Sequence, residues 1–182
     1  MRVIDGLIGI GWIAFWVYWF VTAARANESR GGVRRWAGSR VAVVLILAVM
    51  LRAGVFGKHT ANHSRTVALV GLAIWAVGLL VAIWARVNIG RNWGMPMTQR
   101  VNPELVTTGP YAFIRHPIYT GIILGMVGTA IATSVYALIP VLILGGYFVY
   151  SAHMEERYLA SQFPESYPQY QHATKMLVPF IY

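Results

Sequence analysis

The chain has 182 residues, of which 57% are hydrophobic and only 12% are charged, with a formal net charge of +9. Roughly a quarter of the residues of a soluble domain are charged, so this composition excludes a water-soluble protein with polar surface on all sides. The absence of cysteine excludes disulfides, thiolate metal sites and a cysteine nucleophile. We therefore expect an all-α, polytopic membrane protein that forms one membrane domain over residues 1–182.

The positive charges lie between apolar runs rather than in one basic face. That pattern is typical of topology signals and contacts with anionic lipid headgroups, and it disfavours nucleic acid as the partner.

Three apolar runs precede residue 89. A spanning helix needs about 20 mostly apolar residues. The first run extends from Val3 to Ala24, and its Trp and Tyr residues predict an interfacial belt. The second extends from Val41 to about Phe56 and is interrupted by Arg52, whose long side chain can reach the interface. The third extends from Val67 to Ala85.

The last apolar stretch is too long for one crossing. No Asp, Glu, Lys or Arg occurs from His116 through His153, and a single helix of that length would span roughly 55 Å against a bilayer core of about 30 Å. We predict a helical hairpin that turns near Ala132 to Ser134, with Pro140 inside its second crossing.

These runs predict about five crossings. With the N-terminus outside, 11 of the 15 Arg and Lys residues lie on the inner side, as the positive-inside rule requires. The loop from Arg86 to Arg115 and the C-terminal tail then face the cytoplasm. The tail after Glu155 is predicted to continue as helix briefly and then to lie as an ordered segment against the membrane.

A hairpin returns the chain to the side on which it began, so the residues at its two ends come together. These residues are Arg115, His116 and Tyr119 at the start and Glu155 and Glu156 at the end. Ionisable groups near a bilayer are costly, so the cluster is a candidate functional site. Snorkelling and helix capping are the structural alternative.

Two separated motifs in this region carry a resemblance. The first comprises Gly109-Pro110-Tyr111 and Arg115-His116-Pro117-x-Tyr119-x-Gly121, and the second comprises Glu155-Glu156-x-x-Leu159 and Tyr167-x-x-Tyr170. Together they resemble the signature of the isoprenylcysteine carboxyl methyltransferases and the related phospholipid N-methyltransferases. The resemblance covers the second half of the chain, which divides it into N-terminal transmembrane helices (1–88) and a cofactor-binding core (89–182).

The resemblance implies S-adenosylmethionine as methyl donor, bound in a pocket that faces the cytoplasm. Arg115, His116, Glu155 and Glu156 are the implied positioning residues, and no nucleophile or metal ligand is implied. The implied cofactor-binding residues are Gln99, Leu105, Val106, Tyr111, His116, Pro117, Tyr119, Glu155 and Glu156.

These residue types suit such a donor. Carboxylates accept hydrogen bonds from ribose hydroxyls or an ammonium group, and Arg115 or His116 can meet the donor carboxylate. The rings of Tyr111 and Tyr119 offer faces to the purine or the sulfonium cation. Methyl transfer is an in-line displacement that needs alignment and desolvation more than a strong acid or base.

The acceptor is less well defined. The carboxyl-methylating branch places an arginine about one turn before the glutamate pair, and this chain has Ser151 and Ala152 there. A prenylcysteine-like carboxylate, a lipid amine and another small lipophilic molecule all stay open as acceptors. A reductase similar to the sterol reductases, which would use NADPH, and a non-catalytic lipid-binding protein are the alternative functions.

No nucleic acid or metal partner is expected. His59 and His63 stand four residues apart in a predicted outer loop, where no third ligand accompanies them.

Overall fold

The computed structural model describes residues 2–23, 29–30, 64–94, 99–100 and 104–178. Helices dominate these ranges, as predicted. A two-residue antiparallel ladder pairs Ser29 with Arg100 and Arg30 with Gln99. The helices are α1 (Arg2–Ala23), α2 (Arg65–Ile89), α3 (Pro117–Thr133), α4 (Leu138–Gln162) and α5 (Tyr167–Ala173), and the strands are β1 (Ser29–Arg30) and β2 (Gln99–Arg100). Short 3₁₀ turns cover Gly90–Asn92, Gly109–Ala112 and Val135–Ala137.

The predicted first and third crossings and both arms of the predicted hairpin are helices. Among the described residues, the spans Val3–Thr22, Arg65–Asn92 and Leu138–Gln162 are long and apolar enough to cross a bilayer. Helix α3 has 17 residues and is therefore about 25 Å long. The predicted second crossing and the pair His59 and His63 lie outside the described residues.

The hairpin turns where the sequence predicted it. Helix α3 ends at Thr133, and the backbone N–H of Ser134 donates to Ala130 O. Pro140 lies in the first turn of α4 rather than deep inside the crossing. Its missing N–H would have no partner in a first turn anyway, so no neighbouring helix has to compensate for it. Pro117 begins α3 for the same reason.

Helices α2 and α3 pack backbone against backbone along a seam of glycines. A side chain at Gly121 would stand 2.6 Å from the backbone N of Ala82 and from Gly78 O. Gly121 and Gly125 are spaced as in the small-residue motifs that allow close approach of membrane helices. Gly121, the glycine of the Arg-His-Pro motif, therefore allows the start of α3 to pack closely against α2.

Helix α1 joins this pair through its aromatic face. Trp12 Nε1 donates to Thr129 Oγ1 over 3.0 Å, and Phe15 and Trp19 are buried in the core. The aromatic residues of α1 are thus divided, because Trp16 and Phe20 are exposed while Phe15 and Trp19 pack inward. The belt predicted for the tryptophans and tyrosines of this helix is wrong for Trp19, since helical periodicity turns it toward the core.

Candidate active site

The two ends of the hairpin meet, and we call this cluster of Arg115, His116, Tyr119, Glu155 and Glu156 the hairpin mouth. The hydroxyl of Tyr119 donates to Glu155 Oε1 at 2.5 Å. His116 Nδ1 lies 3.7 Å from Glu155 Oε2. The juxtaposition expected from the hairpin is therefore present.

The two glutamates of the pair differ in their surroundings. Glu156 accepts hydrogen bonds from Arg115 Nε at 2.6 Å and from Gln171 Nε2 at 3.1 Å. His116 Nε2 also lies 3.3 Å from Glu156 Oε1. The side chain of Glu155 is 22% exposed, whereas that of Glu156 is 8% exposed. Glu156 thus bonds to other residues inside the protein, whereas the side chain of Glu155 is partly exposed and could contact a ligand.

An aromatic stack supports the mouth from within the hairpin. The His116 and Tyr119 rings lie 5.5 Å apart and nearly parallel, and Tyr119 and Phe148 stack at 4.8 Å. Tyr119 is itself buried. The expected contact of its ring with a purine or a sulfonium stays a prediction, and its hydroxyl bonds to Glu155.

The C-terminal tail docks on the segment that precedes α3. The backbone N–H groups of Arg115 and His116 donate to Lys175 O and Met176 O, at 2.8 and 3.1 Å. Thr120 Oγ1 donates to Leu177 O at 2.6 Å. The guanidinium of Arg115 also donates to Thr174 O. The ordered tail segment predicted from the sequence is present, and it lies against the hairpin mouth.

Helix α5 fixes this tail through two tyrosines. Tyr170 donates its hydroxyl to Tyr111 O at 2.8 Å. Tyr167 is 1% exposed, so its side chain is packed inside the protein. Burial is the largest cause that raises the pKa of both phenols above the ordinary value of 10.0.

The segment before the mouth is shaped by the end of α2. Asn92 Nδ2 donates to Glu104 Oε2 at 2.8 Å. Gly109 has a φ of +60°, and a side chain there would meet Asn88, so the turn requires glycine on both counts. Leu105 and Val106 are half-buried on this segment, which leads to the buried Tyr111.

Not every predicted site residue joins the mouth. Pro117 is fully buried and begins α3. Gln99 belongs to β2, and only its backbone is described. Ser151 and Ala152 are fully buried, and Ser151 Oγ donates to Tyr147 O. The position where the carboxyl-methylating branch places an arginine is therefore packed interior in this chain.

Sequence reasoning did not single out two residues of this region, Gln171 and Arg86. Gln171 is uncharged and belongs to no motif, so no signal in the sequence could have singled it out, whereas Asn92 lies in the stretch Gly90-Arg91-Asn92-Trp93, which resembles the bacterial branch of the family. Arg86 was visible as a charge beside an apolar run, but the sequence predicted it at the interface and the structure buries it.

A sequence profile of the phospholipid methyltransferase family matches residues 66–166, which is more than half of the chain. The chain belongs to this family. The match begins with α2 and ends just before α5, so it includes both halves of the hairpin mouth and leaves α1 outside.

Relatives extend the family resemblance. The chain is 34% identical over 143 residues to the cobalt-zinc-cadmium resistance protein CzcN of Cupriavidus metallidurans, covering 77% of this chain and 61% of that protein. It is 34% identical to the nickel-cobalt-cadmium resistance protein NccN of Alcaligenes xylosoxydans, over 60% of this chain and 52% of that one. It is 32% identical to the protein-S-isoprenylcysteine O-methyltransferase of Schizosaccharomyces pombe, over 60% and 48% respectively. The chain thus spans about half to three fifths of these relatives' lengths.

The fold has a counterpart among solved structures. The eukaryotic intramembrane Ras methyltransferase ICMT superimposes with a TM-score of 0.58 at 23% identity, over 81% of this chain and 53% of that one. This likeness concerns the fold. Together with the spanning helices and the family, it identifies the chain as an integral membrane protein.

Proposed function

We propose that this chain is an integral membrane methyltransferase that uses S-adenosylmethionine to methylate a lipophilic acceptor. The observation that supports this most is the hairpin mouth, where a partly exposed Glu155 is held by Tyr119 and His116 in a chain of the phospholipid methyltransferase family. The relative from S. pombe, named as an isoprenylcysteine O-methyltransferase, supports the same reaction class.

The residues of the mouth fit such a donor. The side chain of Glu155 is partly exposed, and its carboxylate can accept hydrogen bonds from ribose hydroxyls or from an ammonium group. Leu105 and Val106 supply an apolar wall beside Tyr111, suited to a purine ring. Gln99 and Pro117 stay in the proposed set, Gln99 as a contact and Pro117 as the residue that begins α3.

The chemistry needs positioning rather than a nucleophile from the protein. S-adenosylmethionine, when bound, supplies an electrophilic methyl group on a sulfonium. Glu155 is oriented by the hydrogen bond from the Tyr119 hydroxyl, and His116 Nδ1 lies 3.7 Å from its other oxygen, so the carboxylate is positioned in advance. The stacked rings of His116, Tyr119 and Phe148 keep water from the inner side of the mouth. Glu156 and Arg115 hold the tail that borders the site.

For the acceptor, we favour a lipid amine or hydroxyl over a prenylcysteine carboxylate. Ser151 and Ala152 are packed tightly on α4. Neither residue carries a charge that could pair with an acceptor carboxylate before the glutamates. A lipophilic acceptor would enter sideways from the bilayer, because lipid surrounds the apolar outer faces of these helices.

The test uses purified protein in lipid nanodiscs. Calorimetry should detect binding of S-adenosylmethionine, and incubation with the methyl-labelled donor and total membrane lipid should label a lipophilic product that mass spectrometry identifies. A Glu155→Gln variant serves as the matched negative control. Binding of a reduced nicotinamide cofactor without binding of the donor would favour the reductase alternative and overturn this proposal. Unchanged function in Glu155→Ala and His116→Ala variants would favour a non-catalytic lipid-binding protein.

We also propose that the N-terminus faces outside and that the mouth faces the cytoplasm. The uneven distribution of Arg and Lys supports this orientation. Because the chain lacks cysteine, single-cysteine variants report the orientation without labelling at any other position of the chain. In intact cells, a membrane-impermeant maleimide should label Arg65→Cys and not Lys175→Cys; the reverse pattern would invert the topology.

A second candidate role follows from the relatives CzcN and NccN, which are named for metal resistance. Methylation of a membrane component could change the tolerance of a cell to these metals without a metal site in this chain. Growth of a deletion strain in cobalt, zinc or cadmium, complemented with the wild type or with Glu155→Gln, tests it. Equal growth of all strains would remove this candidate.

A further inference from the structure

Arg86 is buried near the end of α2, at 3% exposure. A guanidinium inside a membrane protein is costly unless its donors are engaged. The methyl-transfer chemistry proposed above does not use Arg86.

The guanidinium joins two helix ends. Its Nη2 donates to Thr22 O in the last turn of α1, and its Nη1 donates to Gly90 O just after α2, both at 2.8 Å. The last carbonyls of a helix lack partners in their own helix and carry partial negative charge. Arg86 therefore satisfies groups on α1 and on the turn after α2 at the same time.

Two tryptophans enclose this cation. The guanidinium carbon lies 4.6 Å from the Trp93 ring centroid and 5.8 Å from that of Trp19. The two rings meet edge to face at 5.6 Å. Each contact is favourable by cation–π attraction. Trp19 belongs to α1 and Trp93 to the segment after α2, so the same two parts of the chain are joined again.

The segment after α2 leads to the proposed donor site. Asn92, next to Trp93, binds Glu104, which directly precedes Leu105 and Val106. Trp93 also shares a hydrophobic cluster with Tyr111, and Val106 packs against this cluster. A displacement of Trp93 would therefore move the wall of that site.

We propose that Arg86 is a positioning residue that fastens the end of α1 to the Gly90–Trp93 turn and thereby fixes the 104–111 segment for donor binding. The inference rests on the proposed function for its ligand. It also gives α1, which lies outside the matched family region, a part in forming the site.

The experiment compares Arg86→Gln with Arg65→Gln, an exposed arginine at the opposite end of α2. Calorimetry in nanodiscs should show that Arg86→Gln weakens binding of S-adenosylmethionine about tenfold, a size typical of residues that act through a neighbour. Arg65→Gln should bind like the wild type. Arg86→Lys should recover part of the affinity, since an ammonium can still reach one of the two carbonyl groups.

A second readout does not need the donor. The Leu105→Cys variant carries one thiol, because the chain has no cysteine of its own. The rate at which a maleimide modifies this thiol reports the mobility of the 104–111 segment. Arg86→Gln should raise this rate several-fold, and Arg65→Gln should not. An unchanged rate together with unchanged donor affinity in folded Arg86→Gln would overturn the inference.

If Arg86→Gln does not fold, Trp93→Leu replaces it, because this change removes one ring and keeps both hydrogen bonds. Wild-type donor affinity and an unchanged labelling rate in Trp93→Leu would equally overturn the inference. Failure of the wild type to bind the donor would instead sink the proposed function, and the labelling rates would still test the role of Arg86.

Discussion

The hydroxyl of Tyr119 on α3 and the carboxylate of Glu155 on α4 are joined by a hydrogen bond of 2.5 Å across 36 residues of sequence. The bond closes the open end of the hairpin, opposite the turn. It also orients the more exposed of the two glutamates.

Tyr119→Phe should weaken binding of S-adenosylmethionine, because Glu155 loses the donor that orients it. A hydrogen bond to a charged group contributes about 1.5–3 kcal/mol, so we expect a loss of affinity of about tenfold or more. Isothermal titration measures it. Tyr136→Phe, in the exposed turn at the other end of the hairpin, is the control and should have no effect. Equal affinity of wild type and Tyr119→Phe would refute the assigned role of the hydroxyl.

Arg115→Gln should destabilise the fold strongly, because Glu156 would stay buried with its charge poorly compensated. Breaking one partner of such a pair costs about 3–5 kcal/mol. Thermal unfolding in nanodiscs and limited proteolysis of the tail measure the loss. Arg157→Gln, an exposed arginine beside Glu156 in the sequence, is the control.

The double variant Arg115→Gln with Glu156→Gln tests whether the two residues stabilise the fold through their contact with each other. It should recover part of the stability, because no unpaired charge is left in the interior. A double variant as unstable as the sum of both single variants would mean that the two residues do not act on each other.

Stability should fall in alkaline solution because of Tyr167 and Tyr170. Burial raises the pKa of both phenols above 10.0 in the folded protein. Below pH about 10, both phenols are protonated in the folded and in the unfolded protein, and they do not change the free energy of unfolding. Above pH about 10, the phenols lose their protons first in the unfolded protein, so the free energy of unfolding decreases. Unfolding between pH 9 and 11.5, followed by tyrosinate absorbance at about 295 nm, measures the slope. The Tyr167→Phe, Tyr170→Phe double variant should have a shallower slope, and an identical slope would contradict the assignment.

Gly121→Val should separate α2 from α3, since a side chain would collide with the backbone of Ala82 and Gly78. Overpacking of this kind costs about 1–3 kcal/mol, which thermal unfolding detects. The matched control is Gly146→Val on α4, where a Cβ atom meets nothing within 4 Å. Equal stability of Gly121→Val and the wild type would show that the seam does not need glycine.

Local signals in the sequence predicted much of this protein. Apolar run length predicted α1, α2 and the hairpin, because the thickness of the bilayer fixes the length of a crossing. The charge-free stretch from His116 to His153 predicted that Tyr119 and Glu155 would meet. The motifs predicted the family that the profile match identifies.

Tertiary structure decided what each of these residues contacts. The sequence cannot distinguish the two adjacent glutamates. In the structure, Glu156 accepts hydrogen bonds from Arg115 and Gln171, whereas Glu155 is more exposed. The tertiary structure also buried Arg86 between two tryptophans, although its place beside an apolar run predicted a headgroup contact. The physical reason is that partner choice and burial depend on which helix faces approach each other, and contacts such as those of Arg86 with Thr22 and Trp93 join parts of the chain that no local pattern connects.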